Sequence, residues 1–385
     1  MTDQTNYCSL PFKGMQIDGD GGIKPCCLYK PFLDPTIKQY HITDYDQWRS
    51  QSLTKIQRHV IDNTVDTGCN HCINSTSIPH PLRQVANGFF KHQPRYQASA
   101  TPEWLEIRFG NFCNLKCIMC TPSNSSQIEQ EYQTNTAPYN KLGISYPGAI
   151  QKFDNVAKNW WEDPDTFNRV IVILNRARYV NFSGGEPLIM PQLYRVLDAL
   201  NADCMITFNT NLTRLSDRVV NDLKKFKKVI LQVSLDGIDD HQEWIRWNSR
   251  WADIDRNINT VCGTKNITVS FSYLLQHTTV YTWPALWKYL QPLNKEVMLL
   301  PVYEKTIGQG VLTQNSVSPE DMHKFKTWVE HNPGPHDHTL QQWISNYEFD
   351  AKLHQEFQDY VNMLDRIRGG NFARTFDPSW QLGGS

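Results

Sequence analysis

Three cysteines stand within eight residues, Cys113-Asn-Leu-Lys-Cys117-Ile-Met-Cys120, a C-x3-C-x2-C array. Thiolates are soft ligands that suit iron-sulfur clusters or zinc, and one loop carrying three of them can wrap a single cluster. A closed site takes four ligands, and no further Cys or His follows closely after Cys120, so a structural zinc would lack its fourth. A four-iron cluster held by three thiolates keeps one iron open to bind something else, which is what reactive chemistry needs. A second group lies upstream: Cys8, the adjacent Cys26 and Cys27, Cys69 and Cys72. Four thiolates there make a closed set, and spacing alone does not decide between Cys26 and Cys27. The lone Cys204 and Cys262 read as buried, inert thiols.

Composition bounds the setting. The 385 residues carry 38 Lys+Arg against 39 Asp+Glu, a formal charge of −1, so no global field steers the chain toward nucleic acid or an anionic membrane. Apolar residues at 40% and aromatics at 12% suffice for a core, and no run of about 20 apolar residues marks a membrane span. The start MTDQTNYCSLPFKG lacks the basic and then apolar stretches of a secretory signal, so a reducing cytoplasm is the expected compartment. In that compartment such cysteines favour metal or redox chemistry over disulfides.

The elements that must position the cysteines change in texture along the chain. Residues 1–102 are rich in Pro, Gly, Cys and His, with one helix-like stretch at 48–61; they read as a loop-dominated segment held by a metal. From Trp104 onward, short β-branched or aromatic-rich segments predict six strands, at 104–109, 179–182, 205–208, 229–233, 267–273 and 297–301. Between them lie helical patterns, the clearest having Ser216 as N-cap and Val219, Leu223 and Phe226 on one face. Residues 121–178 are too long for one crossover and predict at least two helices, one containing Trp160 and Trp161. Strand and helix in alternation imply parallel pairing. Beyond Tyr303 two more helical patterns predict a packed extension, the last with Leu353, Phe357, Val361 and Leu364 on one face.

The array follows the first predicted strand, and later strands end in motifs of their own. Gly184-Gly185-Glu186-Pro187 follows the second, Thr210-Asn211-Leu212-Thr213 the third, and Ser234-Leu235-Asp236-Gly237, with His241 and Arg246, the fourth. In this order the motifs resemble those of the radical S-adenosylmethionine (SAM) superfamily. The resemblance implies a partial (β/α)6 TIM-type barrel, with catalysis at the C-terminal ends of its strands. It implies that Cys113, Cys117 and Cys120 bind a 4Fe-4S cluster and that SAM chelates the open iron. Reductive cleavage would then give methionine and a 5′-deoxyadenosyl radical, which takes hydrogen from a substrate. By the same resemblance Gly184 and Gly185 let backbone approach the cofactor and Glu186 accepts from the methionine amino group. Asn211 belongs to the cofactor-binding turn, Ser234 contacts ribose and Arg246 contacts the methionine carboxylate. Two positions depart from the pattern: Leu212 replaces a turn Gly, and Met119 replaces the usual aromatic before the third cysteine, which bears on adenine packing.

Cys8-x12-Gly21-x4-Cys26 resembles the opening of a SPASM or twitch auxiliary-cluster domain, including Asp20-Gly21 and Pro25-Cys26. That implies a second Fe-S cluster on Cys8, Cys26, Cys69 and Cys72, with a four-thiolate zinc site as the alternative. Such a domain usually follows the barrel; here it precedes it. The expected organisation is an auxiliary-cluster domain over 1–102, a radical SAM core over 103–303 and a helical extension over 304–385. The resemblance suggests a peptide or protein side chain as substrate, a small molecule or nucleoside being the alternative. A noncatalytic Fe-S or zinc protein is the reading from a different class. The partner implied is an electron donor such as flavodoxin or ferredoxin, and the near-neutral charge disfavours bulk RNA. Glu304, just past the sixth strand, is a candidate substrate contact. His336 and His338 read as a solvated loop, Trp160, Trp161, Trp244, Trp247 and Trp251 as core, and Lys224, Lys225, Lys227 and Lys228 as the wet face of a helix.

Overall fold

A computed structural model describes residues 7–34, 36–70, 72, 82–146, 159–302 and 310–376. The fold is mixed α/β. Its strands are β1 (Gly14–Ile17), β2 (Gly22–Lys24), β3 (Tyr40–His41), β4 (Trp104–Arg108), β5 (Lys116–Cys117), β6 (Tyr179–Ser183), β7 (Met205–Thr210), β8 (Lys228–Ser234), β9 (Arg246–Trp247), β10 (Ile267–Leu275) and β11 (Glu296–Pro301). All six expected strands are present, as β4, β6, β7, β8, β10 and β11, with ends within two residues of those read from the sequence. By contacts the chain divides into two compact units. One comprises Met1–Gly110, Gln151–Phe208 and Arg218–Val229, the other Asn111–Ile150, Asn209–Asp217 and Ile230–Ser385.

In the first unit the strands run in the order β7-β6-β4-β1-β2-β3. Pairing is parallel from β7 to β1 and antiparallel from β1 to β3. Residues 1–102 thus do more than loop: β1 lies beside β4 in register Gln16↔Glu106, with all four of its residues buried. One sheet face is apolar, carrying Met15, Ile17, Leu105, Ile107, Val180, Phe182, Ile206 and Phe208. Phe182 stacks on Phe208 at 4.9 Å and on Phe109 at 5.9 Å between ring centroids. Helix Pro164–Leu174 starts at Asp163, whose carboxylate caps the Thr166 N–H, with Pro164 in the first turn where its missing N–H costs nothing. Trp160 and Trp161 therefore precede that helix, in the 3₁₀ turn Trp160–Glu162, rather than lying within one. Their indoles donate to the carbonyls of Arg108 and Phe109.

In the second unit β8, β10 and β11 are neighbours, β10 and β11 pairing in parallel from Ser270↔Glu296 to Leu275↔Pro301. The C-terminal part is helical as expected, but among the described residues three long helices, Pro319–His331, Asp337–Ser345 and Ala351–Arg368, and the short Phe372–Thr375 stand where two were read. The Asn332-Pro333-Gly334-Pro335 run separates the first two, because neither Pro nor Gly sustains helix there. In Ala351–Arg368 the predicted face holds, with Phe357, Val361 and Leu364 buried and Leu353 half-buried. Among the described residues no helix is long and apolar enough to cross a membrane.

Candidate active site

The cysteine loop lies in the second unit and is held by its own polar groups. Ser125 caps helix Ser126–Thr134 by accepting from the Ile128 N–H (3.2 Å) while its hydroxyl donates to the Leu115 carbonyl (2.7 Å). Ser126 accepts from the Cys113 N–H at 3.2 Å, and Asn111 donates to the Pro122 carbonyl and to Glu129, each at 2.8 Å. A helix start thus fixes the loop that carries the thiols. The second anchor is the short β5·β9 ladder, which sets Cys117 directly opposite Arg246.

That register brings a guanidinium to a sulfur. Arg246 Nη1 lies 3.7 Å from Cys117 Sγ, while its Nε and Nη2 reach Asp236 Oδ2 at 2.7 and 2.6 Å. Asp236 is fully buried; it also accepts from the Leu274 N–H at 2.9 Å, and its own N–H donates to Gln242. Asn211 Nδ2 lies 4.0 Å from Cys113 Sγ and donates to Asn114, which in turn donates to Thr213 at 2.8 Å. Burial raises the Cys117 thiol pKa, and the Arg246 charge opposes the rise. Cys120 is raised by burial first and then by the charges of Cys117 and Cys113, which places all three sulfurs in one electrostatic neighbourhood. Thiols so desolvated stay protonated by themselves; N–H donors and a bound metal are what make them thiolates.

The other motif residues are placed as follows. Ser234 ends β8 and is half-buried. Leu212 holds φ +52° with its side chain fully buried, its carbonyl accepting from Asn257 and its N–H bonded to Thr210 Oγ1. The turn keeps the left-handed geometry that glycine would favour, with leucine paying for it by burial. Met119 is buried. In the first unit Gly184 and Gly185 have φ +78° and +59°, and a Cβ on Gly184 would meet the Gly110 carbonyl at 3.0 Å. Glu186 is buried and accepts from the Leu188 N–H at 3.1 Å, capping the turn Pro187–Ile189.

The first unit also gathers the upstream cysteines. Burial pushes the Cys8 and Cys69 thiols up to about 12, each with a further rise from Cys72, and Cys26 is raised by burial and then by the adjacent Cys27, by Cys8, by Glu106 and by Cys69. Cys27 instead faces Glu106 and Lys24. Gly68 is required beside Cys69 because a Cβ there would lie 2.5 Å from the Tyr29 ring, and its carbonyl accepts from Lys30, tying the two cysteine segments together. Among the described residues no three His, Cys, Asp or Glu side chains converge tightly enough for a single metal ion. A four-iron cluster needs its sulfurs set wider than the ligands of one ion, and both thiol sets suit it in donor type.

Cys204 is buried, its thiol pushed up to about 12 by desolvation, and Cys262 is half-buried. His336 packs edge-on against Trp283 and Trp287 rather than standing in solvent. Lys225 pairs with Asp222, and Lys227 with Asp203. Glu304 lies outside the described residues. Sequence reasoning left Asp236 without a role although it sits inside a recognised motif. It quoted Thr213 within its turn motif without a role and missed Asn114, Tyr360 and Arg368, since nothing local marks a side chain whose partner lies far along the chain.

Residues 107–280 match the radical SAM superfamily. The match covers a little under half of the chain. No curated protein matches it. Among solved structures it is similar to native anSMEcpe with bound AdoMet, at 16% identity and TM-score 0.40 over 60% of this chain and 61% of that one. Streptococcus suis SuiB bound to S-adenosylmethionine matches at 10% identity and TM-score 0.36, over 86% and 68%. Coproporphyrinogen III oxidase (HemN) from Escherichia coli matches at 14% and 0.35, over 66% and 52%. The chain thus spans about three fifths of the length of the first of these.

Proposed function

We propose that this chain is a radical SAM enzyme that holds a 4Fe-4S cluster on Cys113, Cys117 and Cys120 and abstracts hydrogen from a peptide or protein side chain. Cluster and SAM together supply the reductive C–S cleavage that gives methionine and a 5′-deoxyadenosyl radical. The observation that carries the reading is the three-thiol loop, with Cys117 buried and Cys113 and Cys120 half-buried, and with Arg246 and Asn211 directed at two of its sulfurs. N–H groups near thiolate sulfur stabilise negative charge and so ease reduction, and burial keeps water from the site. Asp236 keeps the guanidinium beside Cys117. The motif resemblance adds Gly184, Gly185, Glu186 and Ser234 as SAM contacts and Arg246 as the methionine carboxylate contact; Arg246 has two of its nitrogens on Asp236. A flavodoxin or ferredoxin in the cytoplasm would deliver the electron.

The second thiol set is read as an auxiliary Fe-S site on Cys8, Cys26, Cys69 and Cys72. Their mutual electrostatic influence supports it, and Cys26 is favoured as the ligand because Cys8 and Cys69 act on it, whereas Glu106 dominates the surroundings of Cys27. The decisive experiment is anaerobic reconstitution followed by dithionite and SAM. Wild type should yield 5′-deoxyadenosine and Cys117→Ala should not; equal yields from both refute the assignment. Deuterium transfer from labelled candidate substrates into 5′-deoxyadenosine then tests the peptide class against small molecules and nucleosides.

A further inference from the structure

Helix Leu82–Phe89 lies against the upstream thiols through one face. Asn87 brackets Cys8: its Oδ1 accepts from the Ser9 N–H at 2.8 Å and its Nδ2 donates to the Tyr7 carbonyl at 3.0 Å. Ala86, wholly buried, packs with Leu10, Phe90 and Trp104, and Cys8 and Cys26 pack against that cluster. Residues three and four apart share a helix face, so Arg83 stands one turn before Ala86 and Asn87 on the side turned to Cys8. Its Nη1 is buried and has no hydrogen-bond partner. Buried N–H groups in folded proteins are nearly always paired, and a guanidinium keeps its charge at any ordinary pH. An unpaired cationic donor beside a set of thiols therefore calls for an anionic group.

The neighbours show which anion that is. In both Cys8 and Cys69 burial raises the thiol, and the Arg83 charge opposes the rise. Two other cations are engaged elsewhere. Lys24 pairs with Asp18 at 3.0 Å and acts on Cys27 and Glu106, and the Arg95 guanidinium lies over the Tyr7 ring at 5.1 Å. Four thiolates around an iron-sulfur core leave a site anionic, and an electron gained makes it more so. A fixed positive charge beside such a site favours the reduced form, because the potential of a cluster follows its net charge and the N–H groups near its sulfurs. Burial strengthens the effect by lowering the local dielectric.

We propose that Arg83 is the cation of the auxiliary site: its guanidinium offsets the negative charge of the loaded four-cysteine set, keeps a free Nη1–H for sulfur, and raises the reduction potential of the cluster. The inference rests on reading Cys8, Cys26, Cys69 and Cys72 as an Fe-S site. The step that Arg83 biases is the passage of one electron from an external reductant into the cluster; the guanidinium keeps its proton, and no bond forms or breaks.

The test uses the full chain carrying Cys113→Ala, Cys117→Ala and Cys120→Ala, so that iron loads only the upstream set, and an EPR-monitored titration with dithionite and redox mediators. Arg83→Met keeps an aliphatic stem and removes charge and donors together, whereas Arg83→Lys keeps the charge. Against the same chain with Arg83 intact, Arg83→Met should lower the equilibrium constant for one-electron reduction by about tenfold or more, a shift of about 59 mV toward negative potential, while Arg83→Lys stays within about threefold. Iron and sulfide should match in all three. A potential unmoved by Arg83→Met overturns the proposal. So does a fall in Arg83→Lys as deep as that in Arg83→Met, which would mark packing rather than charge, and so does loss of iron from both variants. Loss of iron from Arg83→Met alone, with Arg83→Lys loaded at the parent potential, supports it, since charge is then what the site needs. Zinc in place of iron in the parent defeats the auxiliary reading itself, whereas an intact cluster with an unmoved potential defeats only this role of Arg83.

Discussion

Arg246 shows how much one side chain in this site is asked to do: its charge faces the Cys117 sulfur and offsets the buried Asp236 carboxylate. Removing it strands that carboxylate, and an uncompensated buried charge costs about 3–5 kcal/mol. Arg246→Gln should therefore lose roughly that much stability in denaturant titrations, and Asp236→Asn combined with it should recover part of the loss, since the stranded charge is gone. A loss of less than about 1 kcal/mol in the single variant would show the pair to be solvated and the account wrong. His277 carries a different signature. It is fully buried, stacked on Phe357 at 3.4 Å and bonded through Nδ1 to Ser316 Oγ at 2.7 Å. Burial, then the charge of His354, holds its pKa well below the ordinary histidine value. The unfolded chain thus binds a proton below about pH 6.5 that the folded one refuses, so the contribution is intact above that pH and declines as pH falls, by up to about 1.4 kcal/mol per unit. His277→Leu should flatten the slope of stability against pH between 6.5 and 5 by up to that amount, whatever it does to stability at pH 8. Parallel slopes would mean that His277 titrates normally.

At the scale of elements, the C-terminal helix Ala351–Arg368 reaches the cysteine loop directly. The Tyr360 hydroxyl donates to the Ile118 carbonyl at 2.8 Å, and Arg368 binds both oxygens of Glu131, a residue that also accepts from Tyr139 and pairs with Lys116. Tyr360→Phe removes one buried hydrogen bond and should cost about 1 kcal/mol; Arg368→Met breaks a buried ion pair and should cost about 3 kcal/mol or more. Because both hold the segment between two of the proposed ligand positions, the reconstituted variants should also show altered cluster EPR line shape, which a helix that merely packs would leave as in wild type. None of this was legible in the sequence, where residues 118 and 360 have no local reason to be linked. The six core strands were legible because each is a short apolar or β-branched run bounded by turn residues. The strands β1, β2, β3, β5 and β9 were not, since two to four residues carry no periodicity and exist only through their partners. The turn at Leu212 was visible as a departure from glycine, but only the structure shows the backbone keeping its positive φ.

At the scale of the molecule, residues 1–102 combine two roles that composition alone did not suggest together, a strand partner for β4 and a collection of five thiols. The cysteine count and spacing made the thiols visible; the pairing of β1 was hidden because Gly14–Ile17 is too short to show an alternation. The segment's own apolar groups are modest: Tyr29, Ile37 and Ile56 cluster with Cys26 and Cys69, and Leu10, Ala86, Phe90 and Trp104 with Cys8 and Cys26. Both clusters thus include cysteines of the proposed auxiliary set, so metal binding and local packing stabilise the same contacts and should be lost together. A variant with Cys113, Cys117 and Cys120 all changed to Ala isolates this site. After anaerobic reconstitution it should retain about four irons per chain with matching sulfide, and a chelator that strips them should expose the 1–102 segment to proteolysis. Cys26→Ser in that background should abolish the iron, whereas Cys27→Ser should leave it, because Cys8 and Cys69 act on the Cys26 thiol while Glu106 dominates the surroundings of Cys27. One zinc per chain and no iron would replace the cluster with a structural staple, and retention of metal by Cys26→Ser with loss by Cys27→Ser would exchange the two ligands.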